Sequence, residues 1–448
     1  MDNASFKIHQ FEDKGLAHYS YAVLSEGEVA LVDPARDPQP YFEFALLHDA
    51  RIVAVIETHP HADFVSSHLE IAEGKEATIY TSKLLGANYK HTGFDDGDSF
   101  KLGNITLHAI NTPGHSPDSI TILLKDENQK PVVAFTGDTL FIGDVGRPDL
   151  RESVGNLTAK RDDLARQMYH STREKLMTLP DEVLVYPSHG AGSLCGKGLS
   201  SANVSTIGAE KMSNSALQEM TEEEFVKYLT ADQPFVPKYF GYDVDLNKNG
   251  APDYNPSVKA VPRLAADCEF EKNNLIIDTR PQTEFRKGHL PGAINLLDGL
   301  KFETWLGSIV GPDEKYYLIA QDEETLERLI AKAAKIGYET NIAAGIVAKT
   351  LGEEVSPETE QEAFKQNPDS FTIVDIRNTG EVKTRRIFPN AIEIPLPELR
   401  ERANEIPAGK PVMVHCAGGY RSAAGASIIR QAVKDQPVYD LGEAISKY

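Results

Sequence analysis

The chain has 448 residues, enough for two or three domains that each bury a core of their own. Its 46 Lys and Arg against 67 Asp and Glu give a formal charge of −21, which would repel the phosphate backbone of a nucleic acid. The first residues carry no signal-peptide pattern and no apolar run reaches bilayer-spanning length, so we expect a soluble, cytoplasmic protein with neither nucleic acid nor membrane as partner.

Residues 1–210 alternate short β-rich runs with loops and amphipathic segments. This alternation predicts a layered α/β domain with sheets inside and helices outside. A helix is predicted near residues 164–177. The predicted strands cover residues 21–24, 29–32, 53–56, 105–110, 120–124, 132–135 and 183–186.

A first group of polar residues follows the apolar strand at 53–56. His59, His61 and Asp63 come directly after it, and such donors suit zinc or ferrous iron. The structural alternative is a polar turn in which Asp63 caps a helix. Asp33, at the end of the strand at 29–32, either supports this group or is a turn residue before Pro34.

Three later polar residues repeat this pattern of a strand followed by a donor. His115 lies in NTPGHSPDS, Asp138 in FTGDTLF, and His189 ends VLVYPSHG. Open α/β sheets keep their chemistry at such strand ends. The order HxHxD, PGH, GD and a last histidine resembles the metallo-β-lactamase fold superfamily, which implies an αββα sandwich.

The residue after Asp63 bears on the number of metals. Binuclear hydrolases of this superfamily carry HxHxDH, whereas Phe64 here cannot donate. Two histidines and one carboxylate on a single metal are typical of non-haem Fe(II) enzymes that activate oxygen. We therefore predict one Fe(II) per chain, held by His59, His115 and Asp138. The residues predicted to support that centre are His61, which is also a candidate fourth ligand, Asp63 and His189.

The stretch GDTLFIGDVGRPDL at residues 137–150 resembles the persulfide dioxygenase branch of the superfamily. That resemblance implies oxidation of a small-thiol persulfide, such as that of glutathione, to sulfite with O₂. Arg147 and Lys197 are predicted anion contacts for the substrate, with ordinary surface charges as the alternative. Cys195 is predicted to carry or meet a persulfide, with a packed small residue as the alternative.

Residues 211–265 have the composition of a connector, rich in Pro, Asn, Asp and aromatics, after a predicted helix at 222–229. Residues 243–250 resemble the start of a calcium loop. Pro256 stands where the glutamate of that loop is required, so we predict a turn there.

A weak internal repeat begins near residue 266. Residues 275–296 and 372–396 both run from a strand through Asp-x-Arg to a second short strand, which predicts two α/β units at 266–352 and 353–448. The second repeat contains HCAGGYRS, in which loop amides, a helix dipole and Arg421 would stabilise a thiolate at Cys416. This loop is similar to the CxGGxR loop of rhodaneses, and a phosphatase cradle fits it less well. The resemblance implies that Cys416 is the nucleophile and that Arg421 helps to hold its persulfide.

The first of the two repeats has Gln321 where the second repeat has Cys416, and three acidic residues follow Gln321. We therefore predict a degenerate rhodanese unit without sulfur-transfer activity. The odd number of cysteines, three, favours reduced thiols over a disulfide framework.

Together these motifs predict a bifunctional sulfur enzyme, in the order found in persulfide dioxygenase–rhodanese fusions. Cys416 would pass sulfur between persulfide, sulfite, thiosulfate and thiol, in a direction that the sequence leaves open. The alternatives are a zinc-dependent thioester hydrolase of the glyoxalase II type with a fused rhodanese, and a rhodanese repeat that serves only as an assembly module. A homo-oligomer, dimer or tetramer, is expected.

Overall fold

The computed structural model describes residues 5–150 and 160–448. The chain forms two compact units, residues 1–256 with 335–337, and residues 257–334 with 338–448. Among the described residues, no helix combines the length and the apolarity needed to cross a membrane.

The first unit is built on two sheets, each of six strands within the described residues. The first sheet follows chain order: β1 (Lys7–Asp13), β2 (His18–Ser25), β3 (Glu28–Val32), β4 (Arg51–Ile56), β5 (Thr78–Thr81) and β6 (Thr92–Gly93). The second sheet contains β7 (Ser99–Leu102), β8 (Ile105–Asn111), β9 (Ile120–Lys125), β10 (Pro131–Gly137), β11 (Leu184–Pro187) and β12 (Ser205–Thr206), also neighbours in sequence order. From β3 to β6 the strands are parallel, as are β10 and β11.

The two sheets pack face to face through alternate apolar side chains. Val23 from the first sheet and Leu107 and Phe135 from the second belong to one buried cluster. Helices α1 (Gln39–Leu47) and α2 (His68–Lys75) cover the outer face of the first sheet, and α3 (Arg161–His170), α4 (Ile207–Ser213) and α5 (Glu222–Thr230) cover that of the second. This αββα sandwich confirms the predicted fold of the N-terminal part.

Two predicted segments differ in detail from the structure. The helix predicted at 164–177 is α3 followed by a π-helical segment, Ser171–Leu176. The turn predicted at 243–250 is wrong, because these residues lie in helix α6 (Phe240–Asn249). Phe240 and Val244 are buried on one face of α6, so packing stabilises a helix whose Asp and Asn content alone favours a turn. Helix α7 (Tyr254–Ala260) follows.

The second unit contains two parallel sheets, one in each repeat, as predicted. The first repeat contains β13 (Arg263–Leu264), β14 (Leu275–Asp278), α8 (Gln282–Lys287), β15 (Ala293–Asn295), α9 (Phe302–Ile309), β16 (Tyr316–Ala320), α10 (Glu323–Ala334) and β17 (Ile342–Val347). The second contains α11 (Gln361–Gln366), β18 (Thr372–Asp375), α12 (Thr379–Thr384), β19 (Ile392–Glu393), α13 (Leu399–Arg402), β20 (Val412–His415), α14 (Tyr420–Ala432) and β21 (Val438–Asp440). In both repeats the central strands, β14 with β16 and β18 with β20, pair in parallel and end at the same edge.

Candidate functional site

The loop after β4 is shaped by Asp33, which ends β3 in a left-handed conformation with φ of 50°. Its carboxylate accepts hydrogen bonds from the Thr58 amide at 2.8 Å and the Thr58 hydroxyl at 2.9 Å. The Ser188 hydroxyl donates to the same carboxylate at 2.7 Å. Asp33 therefore ties the loop that carries His59 to the one that carries His189.

Three imidazoles converge on Asp138, which follows β10. The Nε2 atoms of His115 and His189 each lie 3.6 Å from Asp138 Oδ2, and that of His59 lies 3.9 Å from it. Donors at such separations can share one ion, since a metal binds each nitrogen at about 2.1 Å. The structure thus brings together all three residues predicted as metal ligands, His59, His115 and Asp138, and adds His189 beside them.

Each of these histidines presents the same nitrogen to the centre. Nδ1 of His115 donates to the Arg147 carbonyl at 2.9 Å, and Nδ1 of His189 donates to the Ala17 carbonyl at 3.1 Å. Nδ1 of His59 donates to the Thr58 hydroxyl at 3.1 Å. With Nδ1 protonated, Nε2 keeps its lone pair, which is the tautomer that a metal ligand needs.

The centre carries negative charge that its protein partners leave unsatisfied. Both carboxylate oxygens of Asp138 are buried, and no N–H or O–H group in the described part of the chain donates to them. Although burial opposes protonation, Asp63 and Asp138 raise the pKa of His189 to about 9, so that in the metal-free chain a proton on Nε2 takes the place that a metal would take. A buried anionic site of this kind requires a cation, so the residues present fit a divalent metal.

Gly146 is a part of the centre that the sequence analysis missed. A Cβ at residue 146 would lie 1.9 Å from the Asp138 carbonyl oxygen and 3.0 Å from the His115 side chain. Only glycine permits this close approach of the backbone. The signal in the sequence is its place in GDVGRPDL, where spacing alone does not show what it packs against.

Phe64 is buried in the loop after β4, at the place in the sequence where HxHxDH has its last histidine. Its ring centroid lies 4.4 Å from that of His61 and 3.9 Å from that of His18. His61 in turn places Nε2 at 3.2 Å from Asp33 Oδ1. His18 was not predicted, because it lies inside β2 without the spacing of a ligand motif. Phe64 thus leaves a histidine-rich pocket with an apolar wall.

A second set of donors lies on the other side of Asp138. Asp63 Oδ2 is 3.3 Å from His189 Nε2, and Cys195 lies close enough to both to form a potential ligand group. Burial, and then the charges of Asp63 and Asp138, raise the pKa of the Cys195 thiol well above its usual range. Cys195 therefore stands as a neutral thiol among the metal-site carboxylates.

The two predicted anion contacts have protein partners. Arg147 is buried and forms a bidentate pair with Asp149, with both N–O distances 2.7 Å. Lys197 Nζ donates to the carbonyls of Tyr228 at 2.7 Å and Ala231 at 3.1 Å, at the end of α5. The substrate-binding role of both residues stays a prediction, and this geometry does not favour it because each cation is already engaged.

A separate candidate site lies between β20 and α14 in the second unit. Cys416 follows β20 directly, and the Gly419 amide donates to its Sγ atom at 3.1 Å. Arg421 forms a bidentate pair with Glu381 of α12, with both N–O distances 2.7 Å. The loop can therefore stabilise a sulfur anion through an amide and a nearby cation.

The matching edge of the first repeat lacks both groups. Gln321 follows β16, and Leu326 takes the place of Arg421 five residues later. Glu284, the counterpart of Glu381, pairs with Lys287 at 2.7 Å instead. Within the described residues, this edge offers neither a thiol nor an arginine in the loop position.

Comparison with known proteins agrees with these features. The profile of the metallo-beta-lactamase superfamily matches residues 13–189, and that of the rhodanese-like domain matches residues 263–347 and 358–448. The human mitochondrial persulfide dioxygenase ETHE1 is 32% identical over 210 residues, 45% of this chain and 71% of the relative. A cytoplasmic hydroxyacylglutathione hydrolase of Arabidopsis thaliana is 30% identical over 176 residues, 38% of this chain and 63% of the relative. A crystal structure of a metallo-beta-lactamase from Staphylococcus aureus covers 77% of this chain and 99% of its own, with 33% identity and a TM-score of 0.68.

The αββα sandwich and its cluster of histidines and aspartates define a metal-binding enzyme fold of the metallo-β-lactamase superfamily, followed by rhodanese-like domains. Within that superfamily, the chain belongs to the persulfide dioxygenase family, in the form that is fused to rhodanese-like domains.

Proposed function

We propose that this chain is a bifunctional sulfur enzyme. Its first unit oxidises the terminal sulfur of a small-thiol persulfide, such as that of glutathione: RSSH, O₂ and H₂O give RSH and sulfurous acid. Its second unit moves sulfane sulfur through Cys416. The cytoplasmic location and the dimeric or tetrameric state stay predictions from the sequence.

The observation that carries the first activity is the convergence of His59, His115 and Asp138 beside an apolar Phe64. Two imidazoles and a carboxylate would hold one Fe(II) and leave positions open on it. A ferrous ion bound there would supply electrons for oxygen and a binding position for a sulfur anion. His61, Asp63 and His189 line the same pocket and would orient these groups.

The protein's own residues contribute orientation and exclusion of water. The carbonyls of Arg147 and Ala17 fix the rings of His115 and His189, so that each Nε2 stays directed at Asp138. Phe64 shields one side of the pocket, with its ring tilted against the rings of His61 and His18. An apolar wall of this kind would keep bulk water away from one side of a bound persulfide.

In the second unit Cys416 would act as the nucleophile. Its thiolate attacks the outer sulfur of thiosulfate, the bond between the two sulfur atoms breaks, and sulfite leaves with the electron pair. The Gly419 amide, 3.1 Å from Sγ, and Arg421 would offset the charge of the persulfide that forms. A thiol or sulfite then takes the sulfur in the second half of the reaction.

A zinc-dependent thioester hydrolase is the second candidate. The similarity to the hydroxyacylglutathione hydrolase favours it, and so do the contacts of His189 with Asp63 at 3.3 Å and with Asp138 at 3.6 Å. Phe64 counts against it, because the second metal loses a ligand.

The decisive experiment is anaerobic purification of the full chain, metal quantification, and oxygen-electrode assays with several small-thiol persulfides. We expect about one iron per chain, oxygen uptake with persulfides, and no hydrolysis of S-lactoylglutathione. Two zinc ions per chain with thioester hydrolysis and no oxygen uptake would replace this proposal with the hydrolase.

A further inference from the structure

The cation of the sulfur-transfer loop touches the repeat that lacks the nucleophile. The guanidinium carbon of Arg421 lies 5.2 Å from the ring centroid of Trp305, which belongs to α9 of the first repeat. On its other side Arg421 binds both oxygens of Glu381. An arginine held against an aromatic face and a carboxylate has little freedom to turn away.

The residue before Arg421 is held by the same repeat. The Tyr420 hydroxyl donates to the Leu297 carbonyl at 2.7 Å. Gly299 lies against the Tyr420 ring, where a Cβ at residue 299 would be 2.5 Å from the ring edge. Both residues that open α14 therefore depend on Leu297, Gly299 and Trp305 for their position.

A firm interface between the repeats supports these contacts. Arg400 of α13 donates to the Ile309 carbonyl at 2.8 Å and forms a bidentate pair with Glu314 at 2.7 and 2.8 Å. The Asn295 amide donates to the Ser427 hydroxyl of α14 at 3.0 Å. The end of α9 and the edge of β15 are thus fixed on the second repeat.

Space for a small reactant is also shared by the two repeats. A cavity of about 450 Å³ lies beside the loop, lined by Gly418, Gly419 and Tyr420 from the second repeat and by Gln282, Arg286 and Leu297 from the first. A reactant in this cavity would meet loop amides on one wall and the first repeat on the other.

We propose that the repeat without a nucleophile completes the sulfur-transfer site, with Trp305 as the positioning residue that keeps Arg421 beside Cys416. This inference rests on the proposed sulfurtransferase function. The degenerate repeat then has a role in sulfur transfer, because Trp305 of that repeat and Glu381 of the second repeat together hold the Arg421 guanidinium.

One test uses Trp305→Ala and Trp305→Phe in the full chain, with Phe302→Leu as the matched control on the same helix. Thiosulfate sulfurtransferase kinetics are measured, and the pH profile of Cys416 alkylation is followed by peptide mass spectrometry. We expect Trp305→Ala to lower kcat/KM about tenfold and to move the alkylation midpoint upward by roughly half a pH unit. Trp305→Phe should restore most of both, and Phe302→Leu should leave the midpoint unchanged. Unchanged kinetics and an unchanged midpoint in Trp305→Ala would overturn the proposal.

A second test needs no substitution of Trp305, which is the only tryptophan in the sequence. Thiosulfate is added to the unmodified full chain while tryptophan emission is recorded and the Cys416 persulfide is quantified by mass spectrometry. We expect emission to fall in proportion to sulfur loading, and to stay constant in Cys416→Ser. Full loading without a change in emission overturns the role of Trp305 alone. A chain that takes up no sulfur at Cys416 overturns the proposed sulfurtransferase function as well.

Discussion

Phe64 stands in the loop after β4 where the HxHxDH motif of binuclear enzymes has its last histidine. Nε2 of His189 already lies 3.3 Å from an oxygen of Asp63 and 3.6 Å from an oxygen of Asp138. We therefore expect Phe64→His to raise the metal content from about one towards two ions per chain, since an imidazole adds the missing ligand. Elemental analysis of anaerobically purified protein measures this content.

Phe64→Leu is the control for that substitution, because it opens space without adding a donor, and it should leave the metal content unchanged. Two ions per chain in the unsubstituted protein would contradict a single-metal centre. One ion in Phe64→His would show that the loop cannot turn a side chain at 64 towards Asp63.

Glu57 is a buried carboxyl group at the base of the same loop, and its Oε1 accepts a hydrogen bond from the Ser66 hydroxyl at 2.7 Å. Burial, with Asp33 as the second cause, raises the pKa of Glu57 well above its usual range. The folded state therefore binds this proton more tightly than the unfolded state. The resulting stability is present below the unfolded pKa of about 4.5 and is lost as the pH rises towards the folded pKa.

We expect the melting temperature of the metal-free chain to fall relative to that of Glu57→Gln as the pH rises above about 5, because Glu57→Gln keeps a neutral side chain of the same shape. Glu57→Ala should cost about 1–3 kcal/mol near pH 5, because the Ser66 hydroxyl loses its acceptor, and less at higher pH, where the unsubstituted chain loses the contribution of the protonated Glu57. Differential scanning calorimetry measures both effects, with the exposed Glu73→Gln as control. Equal slopes for the unsubstituted chain and Glu57→Gln would contradict a raised pKa.

At this scale the sequence predicts the donors better than their surroundings. The convergence of His59, His115 and Asp138 could be inferred because each follows a strand in a motif order that resembles the metallo-β-lactamase superfamily, although β4 belongs to the first sheet and β8 and β10 to the second. His18 could not be found, since it lies within β2 and approaches the centre only through strand pairing. The ion pair between Arg147 and Asp149 could not be predicted either, because it depends on how the loop folds.

The loop between β20 and α14 is the element on which the proposed sulfur transfer depends. Gly419 has φ of 96°, and a Cβ there would lie 2.6 Å from the Glu443 amide nitrogen. Gly419→Ala should therefore displace the loop and lower sulfurtransferase activity about tenfold or more, while the metal content stays the same. A thiosulfate assay and elemental analysis of the same preparation measure these quantities.

Gly418→Ala is the matched control, because a Cβ at residue 418 would meet no atom within 4 Å. It keeps the backbone amide and should retain most of the activity. Equal loss in both variants would mean that the loop tolerates no added side chain at all, and that the conformation of Gly419 has no special part.

Elements with strong periodicity follow from the sequence, and elements fixed by tertiary packing do not. The strands that carry the site and helix α5 lie where apolar patterns predict them. Helix α6 was predicted as a turn, because its Asp, Asn and Gly residues favour one locally. Burial of Phe240 and Val244 favours the helix, and Asn247 of α6 donates to the carbonyls of His61 and Phe64, which lie far away in sequence.

Across the whole molecule, each candidate site draws its polar partners from its own unit. The residues around Asp138 lie before residue 257, and those around Cys416 lie after it. The order of these sites could be predicted, because the motifs follow one another along the chain. The support that Trp305 gives to Arg421 could not, since nothing in the spacing of two repeats shows which faces meet.

This partition predicts that the two activities can be removed separately. Cys416→Ser should lower thiosulfate sulfurtransferase activity at least about a thousandfold, because the nucleophile is gone, while oxygen uptake with an added persulfide stays within about twofold. Asp138→Asn should do the reverse. It removes a carboxylate shared by two potential ligand groups, one with His59 and His115 and one with His61 and His189, so metal binding and oxygen uptake fall together and sulfur transfer persists. Both variants are assayed as full chains by oxygen electrode, sulfite release and elemental analysis. Loss of both activities in either correctly folded variant would mean that the sites act as one.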